Sequence, residues 1–520
     1  MSGTVAERVS EAVRRESIGA VLGPLAFVAL YLGNPFDVPA AANAAMAGTV
    51  WIVIWWVTEP VHIAVTSLVP IPVFSLTGVT TVESVTAQYA HPIVFLLLGG
   101  FMLALAVERC GLHRRIAVLF VARIGNAPER LLLGIMLVSG SLSMWISNTA
   151  TSMLLLPIAV AIAAAGTGTS RASPDGQGES SSGQAIPDET PSDGDHATLD
   201  VEHENVDVGG FGIALLLGVA YGASIGGAAT LIGSTPSAIF AGIASSQLGV
   251  SVGFVDWMLY AVPIVAVALV VAWVVILRLT DPAATIDETV VDEYRASLPA
   301  VRSDERRVTI VFGLVIVAWL ARPFLLEPLL PALTDEVIAV LGGIALFLVP
   351  AGTDRDGDGS RLLSWDDTAE LPWDVIILIG GSFAVAHAFE EGGLDQVVAE
   401  SISVLGWLSL PVLVVLVSAA VMSVSNLMSN TAAVTVFLPI LVAFAPIATV
   451  PSIDLMAPTA LAASFVFVLP VSTPPNAIVY GSGHVDLAEM VRVGIVLNLI
   501  CVPLVAVLSY VWLPLIQPFG

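Results

Sequence analysis

Of the 520 residues, 56% are hydrophobic and only 12% are charged, about half the charged fraction of an ordinary soluble domain. The hydrophobic residues gather in blocks of 15–25, and a helix needs about 20 residues to cross a ~30 Å hydrocarbon core. This composition excludes a water-soluble enzyme and a disordered scaffold. The net charge of −25 excludes a binder of phosphate backbones, which needs basic patches.

All eighteen basic residues are arginine. A lysine-free, acid-rich chain points to a cell with high internal salt, where dense carboxylate keeps a protein hydrated and salt screens its self-repulsion. A GC-rich genome favouring Arg codons is the alternative. Cys110 and Cys501 lie in or beside apolar segments, so no disulfide framework is indicated. Met1 to Glu16 is charged and has no small-residue cleavage site, hence no signal peptide is expected.

Apolar stretches follow at 18–33, 42–57, 61–77, 92–107, 131–165, 211–245, 255–278, 308–326, 336–350, 373–389, 409–447, 456–480 and 490–515. Between two of them, 166–209 sets ten acids against Arg171 in a Ser-, Gly- and Pro-rich context. Such a segment cannot bury enough apolar surface to order itself, which predicts a disordered acidic loop. A second polar link runs over 281–307, with partial helix expected.

The chain repeats itself. Ser147-Asn148-Thr149-Ala150 with Leu156-Pro157-Ile158 recurs 282 residues later as Ser429-Asn430-Thr431-Ala432 with Leu438-Pro439-Ile440. Gly99-Gly100 matches Gly380-Gly381, and Gly111-Leu112 matches Gly393-Leu394. Further on, Gly233 to Ile239 matches Ser472 to Ile478 at an offset of 239. The fall of 43 equals about the length of the acidic loop, so that loop is an insertion in the first unit.

Each Ser-Asn-Thr sits midway along a long apolar stretch. Two short helices meeting at a polar tip, entering the membrane and returning, account for this, provided the tip faces protein or a water-filled cavity. The later Gly233-Ser234-Thr235-Pro236 and Ser472-Thr473-Pro474-Pro475 predict two discontinuous helices, because proline removes an N–H and clashes with the preceding turn. Paired interruptions of this kind mark a transporter's binding site. With three spans, an amphipathic interfacial helix, a hairpin and a broken span per unit, every arginine except Arg322 falls on one side, the cytoplasmic one. The first hairpin then opens inward and the second outward, so the repeats are inverted.

Ser143 and Ser147, like Ser425 and Ser429, share a helix face one turn apart. Their hydroxyls, the Asn oxygens and the unwound carbonyls are hard ligands suited to Na⁺, while half-helix N-termini suit an anion. Helix-to-helix glue is the competing role for such residues; two copies, each with a downstream proline break, outweigh it. No arginine falls at the depth of the breaks. A dianion there faces several kcal/mol of desolvation per charge, so co-bound cations must supply what helix ends cannot. Uptake should therefore require sodium.

Several stretches now carry a resemblance: Trp55-Trp56-Val57-Thr58-Glu59 with Ile63-Ala64-Val65-Thr66; Glu108-Arg109-Cys110-Gly111-Leu112-His113-Arg114-Arg115; both Ser-Asn-Thr tips; Pro372-Trp373; and Thr473 to Gly483. The sequence resembles the divalent anion/sodium symporter family of dicarboxylate, tricarboxylate and sulfate carriers, over nearly the whole chain. The resemblance implies a homodimer with a fixed scaffold and a moving transport domain, an elevator. It implies one Na⁺ at Ser143, Ser147, Asn148 and Gly233, and a second at Ser425, Ser429, Asn430 and Ser472. Substrate carboxylates would meet Ser147, Asn148, Thr149, Ser234, Asn430, Thr431, Thr473 and Pro474. Two departures bear on substrate choice: Thr235-Pro236-Ser237 where the family commonly has Pro-Pro-Asn, and Ser425, often Thr.

The expected fold is all-α and membrane-integral, with two inverted repeats and about 11 transmembrane helices plus two re-entrant hairpins. Its expected divisions are a cytoplasmic N-terminus (1–17), first scaffold helices (18–91), first transport elements (92–165), the acidic loop (166–209), a broken helix (210–250), scaffold helices and linker (251–372), second transport elements (373–450), a second broken helix (451–489) and a last helix (490–520) ending outside. The expected activity is sodium symport of a C4-dicarboxylate such as succinate across the plasma membrane, with no cofactor beyond Na⁺. Sulfate or citrate symport and sodium-independent exchange are alternatives; a channel or membrane enzyme is a different class, and the paired buried acids an enzyme needs are missing. His387 reads as a hydrogen-bonded histidine, Glu59 as a helix-end residue and Trp51, Trp55 and Trp56 as an interfacial belt. Arg114, Arg115 and Arg123 read as structural residues of an inner surface helix, and His196 and His203 as solvated loop residues.

Overall fold

The computed structural model describes residues 5–121, 123, 127–166, 209–280, 300–352, 360–516 and 519. Apart from its end residues the acidic segment lies outside them, with Arg171, His196 and His203, as does most of the 281–307 link. The described part is helical, and its one β pairing is the isolated bridge between Pro350 and Arg361. Among the described residues nine helical segments are long and apolar enough to cross a membrane.

In chain order the first elements are α1 (Val5–Gly33), α2 (Ala40–Thr58), α3 (Ile63–Thr66), α4 (Pro70–Leu76), α5 (Val82–Ala87) and α6 (Pro92–Arg109). The apolar stretch 61–77 is thus no single span. Pro70 starts α4 after an interruption, where its missing N–H costs nothing. Next come α7 (Leu112–Val121), α8 (Pro128–Ser143) and α9 (Asn148–Gly166), then α10 (Gly209–Gly227), α11 (Thr235–Leu248) and α12 (Phe254–Thr280). The second half holds α13 (Ser303–Ala321), α14 (Asp335–Leu348), α15 (Trp373–Gly392), α16 (Leu394–Ser401), α17 (Leu410–Leu427), α18 (Asn430–Ile447), α19 (Ser452–Ser464), α20 (Pro474–Gly481) and α21 (Leu487–Ile516).

The repeated Gly-Leu pairs explain one shared feature. Gly111 and Gly393 take φ of 74° and 67°, the left-handed conformation that ends a helix and that only glycine adopts without cost. Each turns the chain from a long helix (α6, α15) into a short amphipathic one (α7, α16).

The hairpin α8–α9 packs on α10, and the hairpin α17–α18 on α19; α10 also contacts α12 and α20, α9 meets α20, and α11 lies against α18 and α19. Each hairpin therefore shares a bundle with both broken helices. Helix α10 is buried along nearly its whole length. Around this bundle α6 runs along α14, α14 along α13, and α15 against α2. Helix α13 exposes Ile310, Leu314 and Val317 on one apolar stripe.

Candidate functional site

The four interruptions fall where the polar motifs stand. The hairpins turn at Met144–Ser147 and Met428–Ser429, and the broken helices open over 228–234 and 465–473. The prolines do not end the first halves. Pro236, Pro474 and Pro475 occupy the first or second position of the half-helix that follows, where the missing N–H has no partner to lose. The first halves end instead at Gly226-Gly227 and Ser464.

Gly227 is the centre of the first unit's polar notch. A β-carbon built there would collide with Asn148 Oδ1, lie 2.8 Å from the Gly233 carbonyl oxygen and 3.1 Å from Ser143 Oγ. The Ser143 hydroxyl donates to Asn148 Oδ1. The Thr230 hydroxyl donates to the Met144 carbonyl at 2.6 Å and accepts from the Gly233 amide at 3.0 Å, tying the break in α10–α11 to the hairpin tip. Ser143, Asn148 and Gly233 thus converge with oxygens facing one hydrogen-lined flank. Ser147 is used differently: its hydroxyl accepts from the Ala150 amide at 3.0 Å and caps α9.

In the second unit no described contact joins Ser425, Ser429 and Ser472. What marks this region is unmet bonding capacity: the Ser425 and Thr473 hydroxyls are buried without a hydrogen-bond partner. Such groups are costly unless a ligand or water completes them. Asn476 holds the break in shape, donating to the Leu469 carbonyl at 3.2 Å and to Ser472 Oγ at 3.3 Å; its Oδ1 is also buried without a partner.

Two hydroxyl–hydroxyl contacts at the breaks join the units, beside the Tyr221 hydroxyl, which donates to the Phe467 carbonyl at 3.0 Å. Ser234 Oγ lies 2.8 Å from Ser464 Oγ, and Thr235 Oγ1 lies 2.7 Å from Thr431 Oγ1. Ser147, Asn148, Thr149, Asn430 and Thr235 are partly accessible and Pro474 is exposed, whereas Ser143 and Ser425 are fully buried. An accessible rim therefore overlies a buried floor. The starts of α11, α18 and α20 carry no side-chain cap; α18, with no proline in its first turn, leaves the most amides for an anion, whereas Pro474 and Pro475 remove two from α20. Gly227, Thr230 and Ser464 are absent from the predicted set. Gly226-Gly227 stands just ahead of the first break and could have been flagged; Ser464 has no signal, because its counterpart at offset 239 is Ile225.

Fixed positive charge is spent elsewhere. Arg109 pairs with Asp367 and Glu370, Arg115 with Glu305, Arg302 with Asp304 and Arg322 with Asp335. None of these partners is a break residue. The Arg115–Glu305 pair anchors α7 to α13, a structural role as expected. The Asp304 carboxylate holds the Arg302 guanidinium above its ordinary pKa, and burial pushes the Cys110 thiol to about 11.

Among the other singled-out residues, His387 Nε2 lies 3.4 Å from Thr80 Oγ1. Glu59 closes α2 at φ 48°, its amide donating to the Trp55 carbonyl at 2.9 Å. The tryptophan belt needs correction. Trp56 is fully buried and donates to Ser67 Oγ at 3.4 Å, while Trp55 donates to the Gly19 carbonyl at 3.1 Å. Trp51 and Trp55 stay partly exposed, so only Trp56 departs from the expected belt.

Comparisons with known proteins agree with this architecture. Residues 20–517 match the family described as the sodium:sulfate symporter transmembrane region. The chain is 34% identical over 507 residues to a protein of Staphylococcus aureus (strain USA300) named sodium-dependent dicarboxylate transporter SdcS, covering 96% of this chain and 91% of that one. It is equally similar, over 504 residues, to the protein of that name from Staphylococcus saprophyticus, with the same coverage. Among solved structures the YdaH transporter of Alcanivorax borkumensis, described as having an unusual topology, aligns with a TM-score of 0.54 at 14% identity, over 84% of this chain and 89% of that one. The chain belongs to the sodium:sulfate symporter family of membrane transporters.

Proposed function

We propose that the protein is a sodium-coupled symporter that imports a divalent organic anion, a C4-dicarboxylate such as succinate, across the plasma membrane. The observation that carries this reading is the notch at Gly227, where three uncharged oxygens converge and which none of the arginine ion pairs among the described residues includes. Neutral oxygens bind a hard monovalent cation without demanding a counter-charge. A dianion held nearby then finds its counter-charge in that cation, so substrate and sodium favour each other's binding.

In this reading Ser143, Asn148 and the Gly233 carbonyl hold one Na⁺ with Ser147 at its edge, and Ser425, Ser429, Asn430 and Ser472 hold the second. Ser147, Asn148, Thr149, Ser234, Asn430, Thr431, Thr473 and Pro474 meet the carboxylates. The protein works as a homodimer; its hairpin-and-broken-helix bundle moves as an elevator against the remaining helices, with the N-terminus cytoplasmic and the C-terminus outside. The names of the staphylococcal relatives support sodium and dicarboxylate as the ligands. The decisive measurement is uptake into proteoliposomes with NaCl or with choline chloride at equal ionic strength, using succinate, citrate and sulfate as competitors. Asn148→Ala and Asn430→Ala should each abolish sodium-dependent uptake in protein that remains folded. Uptake of equal size in choline would refute the coupling, and wild-type rates in both variants would refute the sites.

A further inference from the structure

The two units are not equivalent where their broken helices resume. At offset 239, Thr235 of the first unit corresponds to Pro474 of the second. Thr235 is partly accessible, and its hydroxyl lies 2.7 Å from that of the buried Thr431, which belongs to the other unit. Proline at the mirrored position has neither a hydroxyl nor an amide proton.

We propose that Thr235 is a specificity-determining residue, supplying one carboxylate of the substrate with a hydroxyl donor that its mirror position lacks. The inference rests on the dicarboxylate reading above. Each hydroxyl has a single proton. Within the pair one proton is consumed, and the other is left to point elsewhere. Among the described residues the other acceptor in reach of the Thr431 hydroxyl is Asn430 Oδ1, at a long 3.4 Å. With Thr431 donating to Thr235, the Thr235 proton is free to meet a guest oxygen at the accessible rim. The neighbouring Ser234, whose hydroxyl pairs with that of Ser464, is buried, whereas Thr235 lies at the accessible rim. Thr235 also occupies the first turn of α11, whose amide ends favour negative charge. One end of the substrate is therefore met by Asn430 and by Thr235, whose hydroxyl Thr431 orients, and the other by Asn148 and Thr149.

The test compares Thr235→Val, which keeps the shape, Thr235→Ser, which keeps the hydroxyl, and Thr235→Pro, which copies the mirror position. Sodium-driven succinate uptake is measured in proteoliposomes, alongside thermal unfolding of each purified protein. Val and Pro should raise the KM for succinate roughly tenfold, the usual loss when a hydrogen bond to a charged group disappears. Ser should stay near wild type, and the sodium concentration giving half-maximal uptake at saturating succinate should not move. A Val variant with wild-type KM overturns the role of Thr235 while leaving the function intact, as does one that shifts KM and sodium requirement together. Wild-type protein that transports no dicarboxylate overturns the functional reading itself, and this inference with it.

Discussion

The hydroxyls of Ser234 and Ser464 lie 2.8 Å apart although 230 residues separate them in the chain. One ends the break between α10 and α11, and the other is the last residue of α19, so this bond joins the two units inside the bundle. Both side chains are buried. Ser464→Ala leaves Ser234 desolvated and unpaired, at a cost of about 1–3 kcal/mol. The expected result is a lower unfolding temperature in detergent together with slower uptake; a variant that matches wild type in both would show the bond to be incidental.

Gly227→Ala should act on sodium rather than on folding alone. The new methyl group would occupy the space shared by Asn148 Oδ1, the Gly233 carbonyl and Ser143 Oγ, so the apparent sodium affinity should fall at least roughly tenfold, about 1.4 kcal/mol. Gly313→Ala is the control, since its added carbon meets nothing within 4 Å and alanine favours the helix. Sodium titration of uptake in both variants separates the two effects, and an unchanged sodium dependence in Gly227→Ala would remove Gly227 from the site.

Glu305 lies beneath Arg115, with side-chain exposures of 5% and 16%. Removing one partner of a buried pair leaves an uncompensated charge and costs about 3 kcal/mol or more; the residual exposure of Arg115 lowers this to roughly 2 kcal/mol through screening. Glu305→Gln should therefore unfold several degrees below wild type without altering sodium dependence. An altered sodium dependence would give α7 a part in transport that the structure does not assign to it.

His113 sits on α7, outside the spans, with Nδ1 3.1 Å from the Val107 carbonyl. Burial lowers its pKa below the ordinary 6.5; the Val107 contact opposes the shift and Arg114 adds to it. The folded protein then binds this proton more weakly than the unfolded chain does. Its contribution to stability is complete above the unfolded value of about 6.5 and is lost as pH falls below it. Unfolding temperatures measured from pH 7.5 down to 5.5 should decline, less steeply in His113→Gln. Parallel curves for the two proteins would rule His113 out as a cause.

The breaks were legible in the sequence because they interrupt something that otherwise has no reason to stop. Polar Ser-Asn-Thr in mid-stretch, and Gly or Pro at matching offsets, locate the turns at 144–147 and 428–429 to within a residue or two. The second copy turned a weak signal into a strong one. Trp56 left the expected belt for the opposite reason: composition reports that it is amphipathic, but only packing decides that it points inward to Ser67.

Sequence alone determined that this chain crosses a membrane many times, that it is built twice over, and which short motifs interrupt its helices, because hydropathy, repetition and proline chemistry are local properties. Tertiary structure decided which of those residues meet. Gly227 faces Asn148, Gly233 and Ser143, and Thr235 reaches Thr431 across the boundary between units. Those meetings depend on how two hairpins pack against two broken helices, and no periodicity along the chain encodes a distance between residues some 200 positions apart.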